Sequence, residues 1–356
     1  MNNNKFKIGL FAFNASNGVT LTKNVDRWAG SWSDIKKVSL DSDNLGLDFL
    51  LPIARWNDWG GETRPHKKTF ETFTLMSSIA SITKKIYLFS TVHTAFVNPV
   101  YAARATTTIN HISNGRFGVN IVCGWNKSEY DMFNIKKKHS SIDRYKYGEE
   151  WLKIYSKLLA KQKDKINFNG KFISVKNAQC FPKLINDKRF LKMSAGFSKE
   201  GREFASKKFD ILLTMFNRLD NLRINNQNII NYAKKNNKNI KIYSPVHIVC
   251  KKTRNEAVDF FNEYSQKNQD TKSVDIFIKN LIWSQKNILA SYLKQVKQRV
   301  AGSLGSYTII GNKKDVTEQL NEIYKAKTSG VALTFYDYNK DLNFFGKNIL
   351  KRIRSF

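Results

Sequence analysis

The strongest constraint on the fold is a regular alternation of short, almost wholly apolar segments with longer segments of helical periodicity. Continuous apolar runs are typical of parallel strands, because both faces of a parallel sheet are covered. Between them lie segments such as 69–83, in which apolar residues recur three or four positions apart, and these are predicted to be helices. Eight strands are predicted, at 6–13, 47–53, 86–94, 116–125, 189–196, 210–216, 240–250 and 331–338.

Eight strands that alternate with helices in a chain of 356 residues predict a (β/α)8 barrel, or TIM barrel. A doubly wound open sheet is the alternative, but it has fewer strands, and no Gly-x-Gly-x-x-Gly loop follows the first strand here. We expect a single domain over residues 1–356, because no linker-like stretch divides the chain. Residues 253–300 have helical patterns without a strand of their own, which predicts a helical insertion before the last strand. Asn169-Gly170, between two apolar runs, predicts a two-residue hairpin turn.

The chain is strongly basic, with 60 Lys and Arg against 29 Asp and Glu and a formal net charge of +31. Such a charge raises the possibility of a nucleic-acid partner. The lysines, however, occur in scattered twos and threes, as at 136–138 and 251–252. A nucleic-acid surface more often combines Arg with stacking aromatic residues. We therefore expect a basic surface without a nucleic-acid site, and keep a nucleic-acid-binding protein as the less favoured alternative.

The residue types that bind metals or form disulfides are sparse and dispersed. The three cysteines lie far apart, and the five histidines include no His-Glu-x-x-His pair, so neither a disulfide framework nor a metal site is expected. The apolar part of the N-terminal segment is shorter than the core of a signal peptide, and it is better explained as the first strand. No apolar run approaches the roughly 20 residues of a membrane helix. We expect a soluble, cytoplasmic protein that binds no membrane.

Barrel enzymes build their active sites at the carboxyl ends of the strands. After the second predicted strand, Arg55 lies between apolar residues and two tryptophans, Trp56 and Trp59, which suits a wall for a flat ring but equally an ordinary packed loop. The third strand ends in a polar run that contains Thr91 and His93, and a lone histidine there is more often structural than catalytic.

Two further positions suggest a ligand. Asn120 lies inside a core strand, where its amide needs a hydrogen-bond partner from the backbone or from a ligand. Ser198 follows Gly196 at the end of the fifth strand and is a suitable N-cap, and a helix N-terminus is a natural phosphate site, although most capped helices bind nothing. Since the strand ends carry no metal cluster, carboxylate pair or nucleophile motif, the chemistry points to a borrowed cofactor.

The stretch 113–125, SNGRFGVNIVCGW, followed by NKSEY, resembles the luciferase-like flavin-dependent monooxygenases. The resemblance is greatest to the branch that holds the pyrimidine monooxygenases and the dimethylsulfone monooxygenases. It continues through FETFTLMSSIASIT, NPVYAARATTTINHIS, the Asp143-Arg144-Tyr145 segment, MSAGFS and VALTFYDY, from near residue 45 to the C-terminus.

This resemblance implies a (β/α)8 barrel that uses reduced FMN, supplied by a separate NAD(P)H-dependent flavin reductase, with dioxygen as co-substrate. Arg144 and Ser198 would hold the FMN phosphate, and Thr91 and Asn120 would hold dioxygen near the flavin. A homo-oligomer, dimer or tetramer, is expected. The implied FMN contacts are Ala54, Arg55, Asn120, Glu129, Arg144, Tyr145 and Ser198, and the implied substrate and oxygen pocket contains Leu51, Ile53, Trp59 and His93.

The sequence departs from the pyrimidine branch at two pocket positions. Arg55 stands where pyrimidine monooxygenases carry Lys, and Ile53 stands where they carry Met. The leading substrate class is a pyrimidine-like amide heterocycle that is opened as a uracil ring would be, and a small sulfone or sulfonate comes second. A deazaflavin-dependent oxidoreductase of the same fold is a further alternative.

Overall fold

The computed structural model describes residues 6–135, 141–161, 164–284 and 290–355. Eight parallel strands close into a ring with helices on the outside, which confirms the predicted (β/α)8 barrel. The ring runs in the order β1, β2, β3, β4, β7, β8, β9, β11 and back to β1. The strands are β1 (Lys7–Phe11), β2 (Phe49–Leu51), β3 (Tyr87–His93), β4 (Phe117–Val122), β5 (Ile166–Asn169), β6 (Ser174–Ala178), β7 (Lys192–Ala195), β8 (Ile211–Leu213), β9 (Lys241–Cys250), β10 (Tyr307–Gly311) and β11 (Gly330–Thr334).

The helices between the strands begin at polar caps, such as Ser31 and Asn98, whose side chains accept the free N–H groups of the first turn. None of the described helices is both long and apolar enough to cross a bilayer. Short π-helical turns cover Glu263–Lys267 and Gly346–Leu350, and a 3-10 turn covers Asp187–Arg189. The α-helices are α1 (Trp32–Asn44), α2 (Thr72–Ile82), α3 (Pro99–Ile112), α4 (Lys127–Met132), α5 (Ser141–Leu159), α6 (Lys199–Lys208), α7 (Leu222–Lys235), α8 (Arg254–Asn262), α9 (Thr271–Ser284), α10 (Ala290–Ser303), α11 (Lys313–Lys325), α12 (Tyr338–Phe345) and α13 (Lys351–Ile353).

A ninth strand in the sheet, β10, was not predicted from the sequence. The first residues of β9 pair with β8, while Val246–Cys250 pair with β10 along the same edge. Strand β9 is therefore long enough to belong to the ring and also to hold an outer strand. Helices α8, α9 and α10 lie between β9 and β10, in the region where the sequence predicts a helical insertion.

The hairpin of β5 and β6 exists, but its predicted two-residue turn at Asn169-Gly170 is wrong. Asn169 pairs with Ser174, so four residues, 170–173, form the loop. The reason is the carboxylate of Glu150, which accepts the backbone N–H groups of Lys171, Phe172 and Ile173 at 2.9, 2.8 and 3.0 Å. Three amides that a tight turn would leave unpaired are thereby satisfied by a neighbouring helix.

Alternation along the strands divides the core into two parts. Side chains that point outward, such as Ile8 and Val119, pack under the helices, while those that point inward fill the barrel. The lower interior is aromatic, and the rings of Phe49 and Tyr243 stack with centroids 5.2 Å apart. Since these rings fill the amino-terminal half of the barrel, open space for a ligand remains at the carboxyl end of the strands.

Asp43, near the end of α1, fixes the entry to β3. Its carboxylate accepts the backbone N–H groups of Lys84, Lys85 and Ile86 at 2.8, 2.9 and 2.6 Å. Burial raises the pKa of Asp43, but these three donors and the nearby Arg116 outweigh burial, and the resulting pKa is below its usual value. The ionised carboxylate therefore holds the start of the strand that carries two of the candidate site residues.

We predict that Asp43→Asn lowers the free energy of unfolding at pH 7 by about 1.5–3 kcal/mol, the usual contribution of hydrogen bonds to a charged group. The folded-state pKa of this carboxyl is lowered, so its contribution is complete above the unfolded pKa of about 3.9 and is lost as the pH falls through the folded value. Urea unfolding of both proteins between pH 7 and pH 3 measures this. Asp41→Asn is the control, because the partly exposed Asp41 of the same helix pairs with the exposed Lys37, and it is expected to cost less than about 1 kcal/mol. A difference between Asp43→Asn and the wild type that stays constant down to pH 3 would contradict the prediction.

Candidate active site

A buried ion pair joins the loop after β2 to helix α4. Arg55 Nη1 donates to Glu129 Oε1 at 2.9 Å, with the two side chains 8% and 2% exposed. The same oxygen accepts the backbone N–H of Trp56 at 3.0 Å. Burial raises the pKa of Glu129, but the Arg55 guanidinium, His93 and the Trp56 amide lower it by more than burial raises it. The resulting pKa is below its usual value, so the carboxylate is ionised at neutral pH. The pair fixes Arg55 at the carboxyl end of the barrel.

Two indole rings lie against the guanidinium of Arg55. Its Cζ is 4.7 Å from the centroid of Trp59 and 5.2 Å from that of Trp125, within the range of cation–π attraction. Arg55 Nε is buried and has no hydrogen-bond partner among the described residues. Trp59 is only 1% exposed and packs with Phe277 of α9. The structure therefore places Trp59 behind the guanidinium, under the helices that precede β10.

His66 holds Trp59 in place, a role that the sequence did not indicate. Trp59 Nε1 donates to His66 Nδ1 at 3.1 Å, so the proton of the imidazole lies on Nε2, which donates to the Gly18 carbonyl at 2.7 Å. Burial, and then the charge of Arg55, lower the pKa of His66 to about 3. The imidazole is thus neutral at physiological pH, and its two nitrogens connect Trp59, in the same loop as His66, to Gly18 in the loop after β1.

Thr91 of β3 and Asn120 of β4 lie side by side as register partners, towards the carboxyl end of the barrel. Asn120 Nδ2 donates to Thr91 Oγ1 at 3.1 Å, and Thr91 Oγ1 donates to the Pro52 carbonyl at 2.6 Å. Asn120 Oδ1 is buried and has no partner among the described residues. A buried acceptor without a donor is costly, so this oxygen indicates a ligand that donates to it.

His93 faces the cleft next to this pair. It is 3% exposed, and its Nδ1 is buried without a hydrogen-bond partner in the part of the chain that the structure describes. Burial lowers its pKa to about 4, with Glu129 raising it and Arg55 lowering it, so the ring is neutral at pH 7. The lining of the cleft includes the polar residues Arg55, Thr91 and His93 and the rings of Trp56, Phe70 and Phe73.

Ala54 also lines this cleft, but Leu51 and Ile53 lie behind it. Leu51 is fully buried in the barrel interior. The backbone of Ile53 is clasped by Asn14, whose Oδ1 accepts the Ile53 N–H and whose Nδ2 donates to the Ile53 carbonyl, both at 2.9 Å. Asn14 is a positioning residue that the sequence did not indicate, because its partner lies 39 residues away.

A second group of predicted residues lies where α5 meets the start of α6. The Tyr145 hydroxyl is hydrogen-bonded to the side chain of Ser198, the N-cap of α6, whose Oγ accepts the Gly201 N–H at 3.1 Å. Arg144 Nη1 donates to the Gly124 carbonyl at 2.6 Å. A cationic side chain, two hydroxyls and a helix N-terminus therefore converge, which is the donor set that a phosphate requires.

The segment 123–130 connects the two groups. Trp125 lies against Arg55, Gly124 holds Arg144, and Glu129 forms the ion pair. The structure thus brings the predicted cofactor residues to the same end of the barrel as Thr91 and Asn120. Among the described residues, no three His, Cys, Asp or Glu side chains are grouped as a metal ion would require.

Known proteins are similar to this chain in sequence or in fold over most of their length. The pyrimidine monooxygenase RutA of Acinetobacter baylyi is 26% identical over 349 residues, which are 96% of this chain and 93% of that protein. RutA of Agrobacterium fabrum is 25% identical, over 98% of this chain and 96% of its own length. The crystal structure of DmoA from Hyphomicrobium sulfonivorans superposes with a TM-score of 0.84 at 14% identity, covering 99% of this chain and 88% of that one.

The family match agrees with the arrangement of the site. Residues 6–329 match the family described as luciferase-like monooxygenase. This span runs from the start of the first barrel strand, β1, to the residue that precedes the last strand, β11. That span includes both groups of site residues and the segment that joins them. The chain therefore belongs to the luciferase-like monooxygenase family.

Proposed function

We propose that this protein binds reduced FMN at the carboxyl end of the barrel and uses dioxygen to oxidise a small polar substrate, foremost a pyrimidine-like amide heterocycle. The observation that carries the proposal is the Thr91–Asn120 pair, in which Thr91 lines the cleft and the buried amide oxygen of Asn120 has no donor among the described residues. Family membership supports monooxygenase chemistry, and the curated relatives named pyrimidine monooxygenase support the substrate class.

The residues present suit the phosphate of FMN. Arg144 provides a charged donor, Ser198 and Tyr145 provide hydroxyls, and the first turn of α6 provides backbone amides. Gly196 allows the loop after β7 to lie close to the first turn of α6, because a Cβ there would be 2.6 Å from the backbone of Gly201. Loop and helix therefore meet at a distance that only glycine permits, so the donors stay close together.

The other group suits the flavin ring and the reacting atoms. Reduced FMN, when bound, supplies the electrons that activate dioxygen. The Thr91 hydroxyl is donated to the Pro52 carbonyl, so Thr91 would position Asn120, whose second Nδ2 proton would donate to the oxygen. Asn120 Oδ1 would accept a donor of the bound ring, and the neutral His93 imidazole offers a further polar contact at Nδ1. The Arg55–Glu129 pair leaves little net charge beside the ring. The rings of Trp56, Phe70 and Phe73 also line the cleft and would cover part of a bound flavin and substrate against water.

The shape of the cleft supports a compact substrate. Its lining combines the rings of Phe70, Phe73 and Trp56 with the polar groups of Arg55 and His93. A flat ring with carbonyl and N–H groups satisfies both sides, whereas a long aliphatic chain requires an extended apolar channel. We further propose that a separate NAD(P)H-dependent flavin reductase supplies the reduced FMN and that the protein acts as a homo-oligomer.

A dioxygen-uptake assay with FMN and a flavin reductase tests the function. The panel contains pyrimidines, small sulfones and sulfonates, and each is measured with and without protein. Uptake that depends on a pyrimidine, with matching product, supports the proposal, and uptake with a sulfone instead moves the substrate to that class. Failure to bind reduced FMN below millimolar concentrations, or anaerobic turnover with a deazaflavin, would falsify the proposed chemistry.

We predict that Asn120→Ala retains the fold and loses most FMN-dependent turnover. Removal of the amide leaves Thr91 without one partner, at a cost of roughly 1–3 kcal/mol in stability. Turnover per folded protein and the melting temperature measure the two effects. Asn226→Ala is the matched control, because Asn226 is also buried but bonds to Ala326 and Thr328, next to β11 at the amino-terminal end of the barrel. It is expected to lose stability and retain turnover, so equal turnover in the two variants would contradict the role of Asn120.

For Arg144→Ala we expect FMN affinity to fall about ten- to a hundredfold while riboflavin affinity changes little. One charged hydrogen bond to phosphate contributes roughly 1.5–3 kcal/mol, and riboflavin has no phosphate. Fluorescence titration with both flavins measures the difference. Arg104→Ala, on the exposed face of α3, controls for the loss of one positive charge. Equal losses for FMN and riboflavin would place Arg144 away from the phosphate.

The two tryptophans of the loop are expected to respond differently. Trp59→Ala should lower the free energy of unfolding by roughly 3–5 kcal/mol, because it leaves a cavity under α9 and removes the ring beneath Arg55. Trp56→Ala, at an exposed position that lines the cleft, should change the stability little but raise KM and admit bulkier substrates. Melting temperatures, KM and hydrogen peroxide released without product are measured for both variants. A stable Trp59→Ala protein with an altered substrate range would reverse the two assignments.

A further inference from the structure

A second cleft lies at the opposite end of the barrel from the candidate active site. Lys192 is the first residue of β7, and Lys238 lies three residues before β9 begins. Lys207 and Lys208 end α6, which runs antiparallel to the strands. These residues therefore meet at the amino-terminal end of the strands, where barrel enzymes do not place their active sites.

The cleft is strongly basic. Five lysines line it, the four above and Lys153 of α5, whereas Glu149 is the one acidic residue in its lining. None of these five ammonium groups forms an ion pair with a carboxylate of the described residues. Elsewhere on the surface several lysines are paired, as Lys37 is with Asp41. Glu149, Asp210 and Glu203 offset part of this charge, and Lys207 is also hydrogen-bonded to Tyr232. The lysines still outnumber these carboxylates, and an excess of like charge in a concave site attracts anions.

Lys192 shows that the cleft is more than a patch of exposed lysines. Its side chain is half-buried, and burial lowers its pKa, with Asp210 raising it and Lys238 lowering it. Its backbone N–H donates to Asp210 Oδ2 at 2.8 Å, which fixes the main chain from which the lysine extends into the lining of the cleft. An ammonium group that has lost part of its water and lies next to other positive charges is stabilised when an anion binds.

We propose that this basic cleft binds a compact anion that carries several phosphate charges, either a free polyphosphate chain or the phosphate chain of a nucleotide. Its volume of about 230 Å³ is below the roughly 300–1,000 Å³ of sites for drug-sized molecules, which favours a short chain. Five lysines against one carboxylate in the lining, that of Glu149, leave an excess of positive charge that suits a polyanion. The site is separate from the proposed FMN phosphate site, and the proposal does not depend on the proposed function.

Isothermal titration of the full-length protein with sodium tripolyphosphate, at constant ionic strength, tests the proposal. We expect saturable binding and a rise in melting temperature that sulfate at equal ionic strength does not produce. Lys153→Gln combined with Lys238→Gln, two exposed positions, should weaken binding at least tenfold. The matched control, Lys36→Gln combined with Lys347→Gln, removes the same charge from exposed positions elsewhere and should change affinity less than twofold.

Three results would overturn the proposal: no saturable binding, equal weakening in the two double variants, or loss of binding in Arg144→Ala. The last would mean that the anion occupies the proposed FMN site. Titration with ATP in the absence of divalent metal distinguishes the sources. An affinity within threefold of that for tripolyphosphate assigns the site to the phosphate chain of nucleotides, and a tenfold weaker affinity assigns it to the free chain. Either result supports a polyphosphate site.

Discussion

The guanidinium of Arg55 and the carboxylate of Glu129 face each other in a site from which water is nearly excluded. Removal of either charge from water alone costs several kcal/mol, so each depends on the other. The pair also requires the indoles of Trp59 and Trp125, which cover the guanidinium. The loop after β2 and the segment 123–130, which includes the start of α4, are thus held together by one set of contacts around Arg55.

The closed ring of strands decides where polar groups are tolerated. Every second side chain points into a space of fixed width, and aromatic rings such as Phe49 and Tyr243 fill its lower half. Thr91 and Asn120 occupy inward positions nearer the carboxyl end, where a ligand can satisfy them. The same alternation therefore makes one end of the barrel a packed core and the other a reactive surface.

Local patterns were sufficient for most of the fold, because buried parallel strands are apolar runs and polar residues at strand ends interrupt them. Asn14 and His66 were not recognised, since their partners, Ile53 and Gly18, lie far away in the sequence and no local pattern records the contact. The hairpin loop depends likewise on Glu150 of another element. Strand β10 was not predicted, since it lies outside the ring of eight and its pairing with Val246–Cys250 of β9 leaves no local pattern in the sequence. The family resemblance, rather than periodicity, assigned Glu129, Arg144 and Tyr145.

The burial of Trp59 has a consequence for the order in which the chain is made. Its ring is covered by Phe277 and by the α10 residues Val300 and Ala301, more than 200 positions later. On the ribosome this indole and the charge of Arg55 stay exposed to water until the last third of the protein has emerged. The active-site loop is thus among the first parts synthesised and the last to become ordered, and a nascent chain that stalls near residue 270 presents an unprotected apolar surface.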